Sequence, residues 1–185
     1  MPNWCSNTLM LEGSNDTIQQ VLEFIKGDKD QIIDFEKIIP VPLELSNSNA
    51  YIGVEAQRSD AERTIAQNNI EKYGYPDWYY FCIGEWGTKW NARDSVLSDD
   101  NKICFDTAWS PPIPVLFKLS QMFPYIKLIM TYRSEQYDFI GRCEIQNGEV
   151  DDKIMFHENM ITKEGQEFQK EVLGEIIIDT SGMFV

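Results

Sequence analysis

The stretch Lys102-Ile103-Cys104-Phe105-Asp106-Thr107-Ala108-Trp109 alternates with a period of two, placing Ile103, Phe105, Thr107 and Trp109 on one side and Cys104, Asp106 and Ala108 on the other. Successive strand side chains point to opposite faces, so the stretch reads as a β-strand with one face on a core. A helix start follows at once. Ser110 can cap while Pro111 or Pro114 occupies the first turn, where a missing N–H costs nothing; Val115, Leu116, Leu119 and Phe123 form the apolar stripe, and Pro124 stops it. Ile126 to Tyr132 returns as a strand, completing a β-α-β unit.

Working back, the N-terminal part repeats that order. Trp4 to Leu11 is β-compatible and stops at Glu12-Gly13. Asp16, with Gln19 three residues on, offers a capping-box helix start; Ile18, Val21, Leu22 and Ile25 make the stripe, and Gly27 ends it. Ile32 to Ile39 then reads as the second strand, closed by Pro40-Val41-Pro42. Two such units predict an α+β fold of ferredoxin-like, split β-α-β type: a sandwich with helices on one face of an antiparallel sheet.

Between the expected strands 2 and 3 lies an insertion over 43–101, too long for a plain loop and therefore expected to carry structure of its own. Within it, Glu55 to Tyr73 reads as a polar surface helix with Ala61, Ile65 and Ile70 as its few anchors. Asp77 to Gly84, dense in aromatics, reads as core. Beyond the second unit, Phe139 to Gln146 and Lys153 to Phe156, separated by Asn147-Gly148, predict a hairpin, and Lys163 to Leu173 a short charged helix. The whole chain, 1–185, is expected to form one ferredoxin-like domain with an acidic C-terminal extension over 144–185.

The formal charge is -14 with a pI near 4.4. Affinity for nucleic acid rests on Lys and Arg neutralising phosphates, so no nucleic-acid partner is expected. Ten acids face three lysines from Glu144 to Val185, which puts half of the net charge in the tail. Cys5, Cys82, Cys104 and Cys143 lie far apart among apolar residues without a C-x-x-C pair, and are expected to be reduced and mostly buried. His157 is the only histidine. Neither a metal site nor a cofactor is expected. The chain shows no membrane-length apolar run and no signal-peptide layout, and a cytoplasmic protein is the natural expectation. Oligomeric state is not legible.

Two tryptophan stretches stand out: Trp86-Gly87-Thr88-Lys89-Trp90-Asn91 and Thr107-Ala108-Trp109-Ser110-Pro111-Pro112. As a binding site, Trp86, Trp90 and Trp109 would form an aromatic platform, with Lys89 and Asn91 supplying a charge and an amide. As structure, Gly87 permits a tight turn, the rings fill the space between insertion and sheet, and Asn91 and Thr107 hydrogen-bond backbone. The acidic surround favours the structural reading. Asp99-Asp100 and Asp151-Asp152 read as solvated turns, and Asp106 is a single carboxylate with no companion. Pro2, if Met1 is removed, is a candidate for a secondary-amine base or nucleophile.

With these residues in view the chain resembles the YubB ferredoxin-like domain family, encoded mostly by bacteriophages, plasmids and the bacteria that carry them. The matching stretches are Met1-Pro2-Asn3-Trp4-Cys5-Ser6-Asn7, Trp86–Asn91, Thr107–Pro112 and, less specifically, Phe123-Pro124 with Tyr132. The resemblance implies a ferredoxin-like fold without an iron–sulfur cluster and a bacterial or phage origin; the family has no established biochemical activity, so it supplies no catalytic residues to carry over. Together these observations lead to the expectation of a non-catalytic protein-interaction module that binds its partner through either the insertion or the acidic tail, the acidic surface suiting a basic host protein. The alternative is a small tautomerase-like enzyme that uses the Pro2 amine.

Overall fold

The computed structural model describes residues 3–179. Strand β1 (Trp4–Glu12) is followed by helix α1 (Asn15–Ile25), capped by the Ser14 side chain accepting from the Thr17 N–H. The chain then makes the short helix α2 (Leu43–Ser46), the longer α3 (Asp60–Tyr73), and α4 (Trp78–Phe81), which runs into a single π-helical turn, Cys82–Trp86. Strands β2 (Arg93–Asp99) and β3 (Lys102–Ala108), helix α5 (Ile113–Met122) and strand β4 (Lys127–Ser134) complete the central unit. The hairpin β5 (Phe139–Gln146) and β6 (Glu149–Phe156) and helices α6 (His157–Met160) and α7 (Lys163–Leu173) follow. Asn147 and Gly148 both have positive φ, as the tight turn between β5 and β6 requires.

All six strands form one antiparallel sheet in the order β2-β3-β1-β4-β5-β6. Its first four strands, with α1 and α5 as crossovers, have the ferredoxin-like arrangement. The hairpin widens the sheet beyond β4.

The second strand is not where the sequence pattern placed it. Residues 32–39 hold one 3-10 turn, Phe35–Lys37, because the Asp34 side chain accepts from the Glu36 N–H while the Asp34 N–H donates back to Ile25 O at 2.8 Å. A short acceptor side chain of this kind offers the backbone an alternative to a sheet ladder. Ile33, Phe35 and Ile38 are buried by that turn. The strand is Arg93–Asp99 instead, an edge strand with register shifts at two points and Asp94 at φ 51°. Strands β2 and β3 are joined through Asp100-Asn101, so the insertion lies between α1 and β2, not between strands 2 and 3. Inside it α3 is the polar helix foreseen, with a Ser59/Glu62 capping box, yet Ala66 and Asn69 are its buried residues while Ile65 and Ile70 face solvent.

Strand side chains Leu9, Leu11, Ile103, Phe105, Leu128 and Met130 pack with Val21 and Ile25 of α1 and Val115, Leu116 and Leu119 of α5. The insertion adds Phe35, Phe81 and Trp86 to this core. A second cluster of Ile140, Met155, Met160, Phe168 and Ile178 lies under α6 and α7. The register puts Ile140 opposite Arg133, and Arg133 opposite Ser6, so this cluster occupies the other face of the sheet. Among the described residues, then, α6 and α7 cover that face only over β4, β5 and β6. The half formed by β1 and β3, carrying Trp4, Ser6, Thr8, Met10, Cys104 and Asp106, has no helix over it.

Candidate functional site

The Trp86–Asn91 stretch leads from the π-helical turn to β2. Gly87 sits at φ 74°, and a Cβ there would lie 2.8 Å from Pro114 Cδ, so both backbone conformation and close approach demand glycine. The two tryptophan stretches are clipped together by Thr88 Oγ1, which donates to Ala108 O at 2.8 Å, and by Ser110 Oγ, which donates to Gly87 O. Trp86 is buried; its Nε1 donates to Ile39 O at 2.9 Å and its ring meets Phe35 edge-on. Asn91 Oδ1 accepts from the N–H groups of Phe35 and Ala92, and Nδ2 donates to Asp34 Oδ1 at 2.6 Å. Trp86 and Asn91 are therefore engaged in tying the end of the insertion to its beginning, while Thr88 holds that end to β3.

Trp90 and Trp109 depart from the expectation that both fill the core: they are 39% and 40% exposed. Trp109 follows β3 but adopts φ 74°, which turns it off the face shared by Ile103, Phe105 and Thr107. Its N–H donates to Asn3 O at 2.9 Å, and Thr107 Oγ1 donates to Ser110 O at 2.8 Å, fixing the turn. A left-handed conformation costs a bulky L-residue about 1–2 kcal/mol. The fold sustains that cost and leaves an indole in solvent.

Around these rings two cations gather. Lys89 Nζ lies 4.5 Å from the centre of the Trp90 ring, 5.4 Å from Trp109 and 5.7 Å from Tyr79. Trp90 also packs beside Trp4, at 6.2 Å between centroids, and the Arg93 guanidinium stands 4.5 Å over Trp4 while its Nε pairs with Asp94. Of this group the sequence singled out Lys89, Trp90 and Trp109. Trp4, Tyr79 and Arg93 were missed, since no spacing connects them; pairing of Trp4 with Ala108 across β1 and β3 is what brings them together.

Next to the cluster is a pocket of about 280 Å³ lined by Glu36, Val41, Trp78, Cys82, Trp86, Lys89, Trp90 and Asn91, with Ser46. Glu36 is exposed at its rim, and its Oε2 accepts from the Val41 N–H at 2.8 Å. Partial burial raises its carboxyl above the usual range, with nearby Asp34 adding to the effect. The Cys82 thiol is pushed up to about 12 by burial. A larger cleft of about 520 Å³ lies in the insertion between α2 and α3, where Lys72 pairs with Glu44 and Arg58 with the buried Asp77, each at 2.6 Å.

Of the remaining candidates, Pro2 lies outside the described residues. All four cysteines are free; Cys5, Cys82 and Cys143 are buried and Cys104 is half-buried. Among the described residues no group of three or more His, Cys, Asp and Glu is placed to hold a metal ion, and no helix is long and apolar enough to cross a membrane. Part of the tail's acidity works inside the molecule: Glu144 pairs with Lys127 and Arg142 within the sheet, and Glu171 with Arg142 and Glu164 with Lys153, docking α7 on the sheet. Tyr132 Oη donates to Asp152 Oδ1 at 2.8 Å.

These features define an α+β, ferredoxin-like protein with an aromatic and cationic surface at one end of its sheet. Residues 85–174 match the family model described as the ferredoxin-like domain in Api92-like protein. The crystal structure of protein Api92 from Yersinia pseudotuberculosis is similar in fold: TM-score 0.51 at 10% identity, covering 83% of this chain and 98% of that one. No curated protein matches the sequence. The matched stretch begins just before β2, and β1, from outside it, lies between β3 and β4 in the sheet. The model that matches is the Api92-like one, over the stretch from just before β2 to the end of α7; the likeness to the YubB family rests on the quoted motifs alone.

Proposed function

We propose that the protein is a non-catalytic binding module for a protein partner, and that contact is made through Trp4, Tyr79, Trp90 and Trp109 with Lys89 and Arg93. The observation that carries this reading is the Trp109 backbone, held left-handed so that a large indole is 40% exposed beside a second one at 39%. Strain of this kind concentrates at functional sites, and tryptophan, tyrosine and arginine dominate the energetics of protein interfaces. The acidic surface supplies long-range attraction for a basic partner, while the rings supply the contact. This assigns the tail a steering role, in keeping with the use of Glu144, Glu164 and Glu171 in internal pairs.

The test compares partner capture, from a lysate of the protein's own source cells, by the unchanged protein and two variants. The Trp90→Ser/Trp109→Ser form is expected to lose the partner. A Glu158→Gln/Glu167→Gln form, altering the tail alone, is expected to keep it with a weaker dependence on salt. Capture that survives the tryptophan changes and disappears with the glutamates would move the contact to the tail.

A further inference from the structure

We propose that the pocket bounded by Trp78, Trp86, Trp90 and Glu36 receives a cationic side chain, lysine or arginine, from the partner. This rests on the binding-module reading and names the chemistry of its central contact. Three observations converge. First, three indoles line one small cavity, and aromatic faces attract cations through their quadrupole. Second, the carboxylate at the rim has no ion pair among the described residues: Glu36 is held only by the Val41 N–H, with Asp34 adding like charge nearby. The one cation lining the pocket, Lys89, is placed over the rings of Trp90, Trp109 and Tyr79 instead. Third, the volume of about 280 Å³ is just below the range of about 300–1,000 Å³ typical of drug-sized ligands, and suits one side chain.

Competing occupants fit less well. An acidic side chain would face the Glu36 carboxylate, with the Lys89 ammonium already placed over the rings of Trp90, Trp109 and Tyr79. A purely apolar one would fill the cavity while stripping water from Glu36 without giving it a partner, which is unfavourable for a charged group. A lysine or arginine satisfies both walls, its stem against the indoles and its head at the carboxylate. The overall charge of -14 draws such a partner in. A bound cation would also relieve the cause of the raised Glu36 pKa, by giving the partly buried carboxylate a counter-charge.

The experiment is a titration of the full chain, labelled with 15N, with N-acetyl-arginine amide, N-acetyl-lysine amide, N-acetyl-norleucine amide and N-acetyl-glutamate amide. The indole N–H signals, assigned by single Trp→Phe changes, are the readout. The expected result is saturable movement of the Trp78, Trp86 and Trp90 signals, with the arginine and lysine amides binding about tenfold more tightly than norleucine amide. Glu36→Gln, which keeps an oxygen for the Val41 N–H, is expected to abolish that preference. Equal binding of norleucine amide, tighter binding of glutamate amide, or no movement with any probe overturns the inference. The two proposals fail separately. If Trp90→Ser/Trp109→Ser loses the partner while the amides leave the indoles unmoved, the binding surface stands and the cation pocket falls. If the arginine amide binds but the tryptophan changes leave capture intact, the pocket's preference for a cation stands, while the contact surface and the pocket's use by the partner both fall.

Discussion

Trp86 Nε1 donates to the carbonyl oxygen of Ile39 at 2.9 Å, across 47 residues of sequence, and so ties the end of the insertion to its beginning. Trp90, four residues on, makes no such buried bond and is 39% exposed. The two tryptophans of one motif therefore have different roles. Trp86→Ala is expected to cost about 3–5 kcal/mol, as large aromatic deletions in cores do. Trp90→Ala is expected to stay within about 1 kcal/mol. Urea denaturation of both variants checks this; equal losses would make Trp90 an architectural residue.

Tyr132 lies across Gly141, its partner in the β4–β5 register, and a Cβ on Gly141 would overlap the tyrosine ring. Tyr132 is 2% exposed and hydrogen-bonded to Asp152, so it has little room to yield. Gly141→Ala is expected to destabilise by about 1–3 kcal/mol through overpacking. The same substitution in a Tyr132→Leu background is expected to cost clearly less, and a double-mutant cycle in urea measures the difference.

Burial pushes the thiols of Cys5, Cys82 and Cys143 up to about 12. In the unfolded chain a thiol titrates near about 8.5. The folded form thus keeps protons that the unfolded form releases, and unfolding is favoured as pH rises. Stability is fully present below about pH 8.5 and is expected to fall above it, with the loss continuing to about 12, where the buried thiols ionise. Urea midpoints between pH 7 and pH 10 should trace this decline, and Cys82→Ala should flatten its slope.

Cys104 stands apart from the other three because it lies half-buried on the uncovered face of β3. A thiol reagent is expected to label one cysteine rapidly in the native protein and the remaining three only upon unfolding. Cys104→Ser should remove the fast phase. Rapid labelling of a second site would show that the core opens locally around β1, β5 or the π-helical turn that holds Cys82.

Strands β1, β3, β4 and β5 and helix α7 were legible because each has a side against a core, so polarity follows the backbone period, whereas β6, exposed but for Met155, was announced by the Asn147-Gly148 turn before it. Strand β2 was not. Arg-Asp-Ser-Val-Leu-Ser-Asp is an exposed, bulged edge, and exposure on both faces erases the alternation. Residues 32–39 misled for the complementary reason: Ile33, Phe35 and Ile38 are buried by a 3-10 turn braced by Asp34, whose apolar residues imitate a strand over so short a run. In the candidate site the sequence brought Trp86, Lys89, Trp90, Asn91 and Trp109 to notice as residue types. Glu36, Trp78, Tyr79, Trp4 and Arg93 lie on other elements, and no local spacing announces them.

The sequence by itself determined the ferredoxin-like class, the antiparallel sheet and the identity of most core strands, because those follow from local periodicity and turn chemistry. Only the tertiary structure decided that the insertion interrupts the first β-α-β unit, that Trp109 turns outward, and that Trp90 and Trp109 are surface while Trp86 is core. Periodicity reports whether a residue faces its own element's interior side. It carries no information on whether another element covers that side, and for Trp86, Trp90 and Trp109 that cover is the difference between architecture and a binding surface.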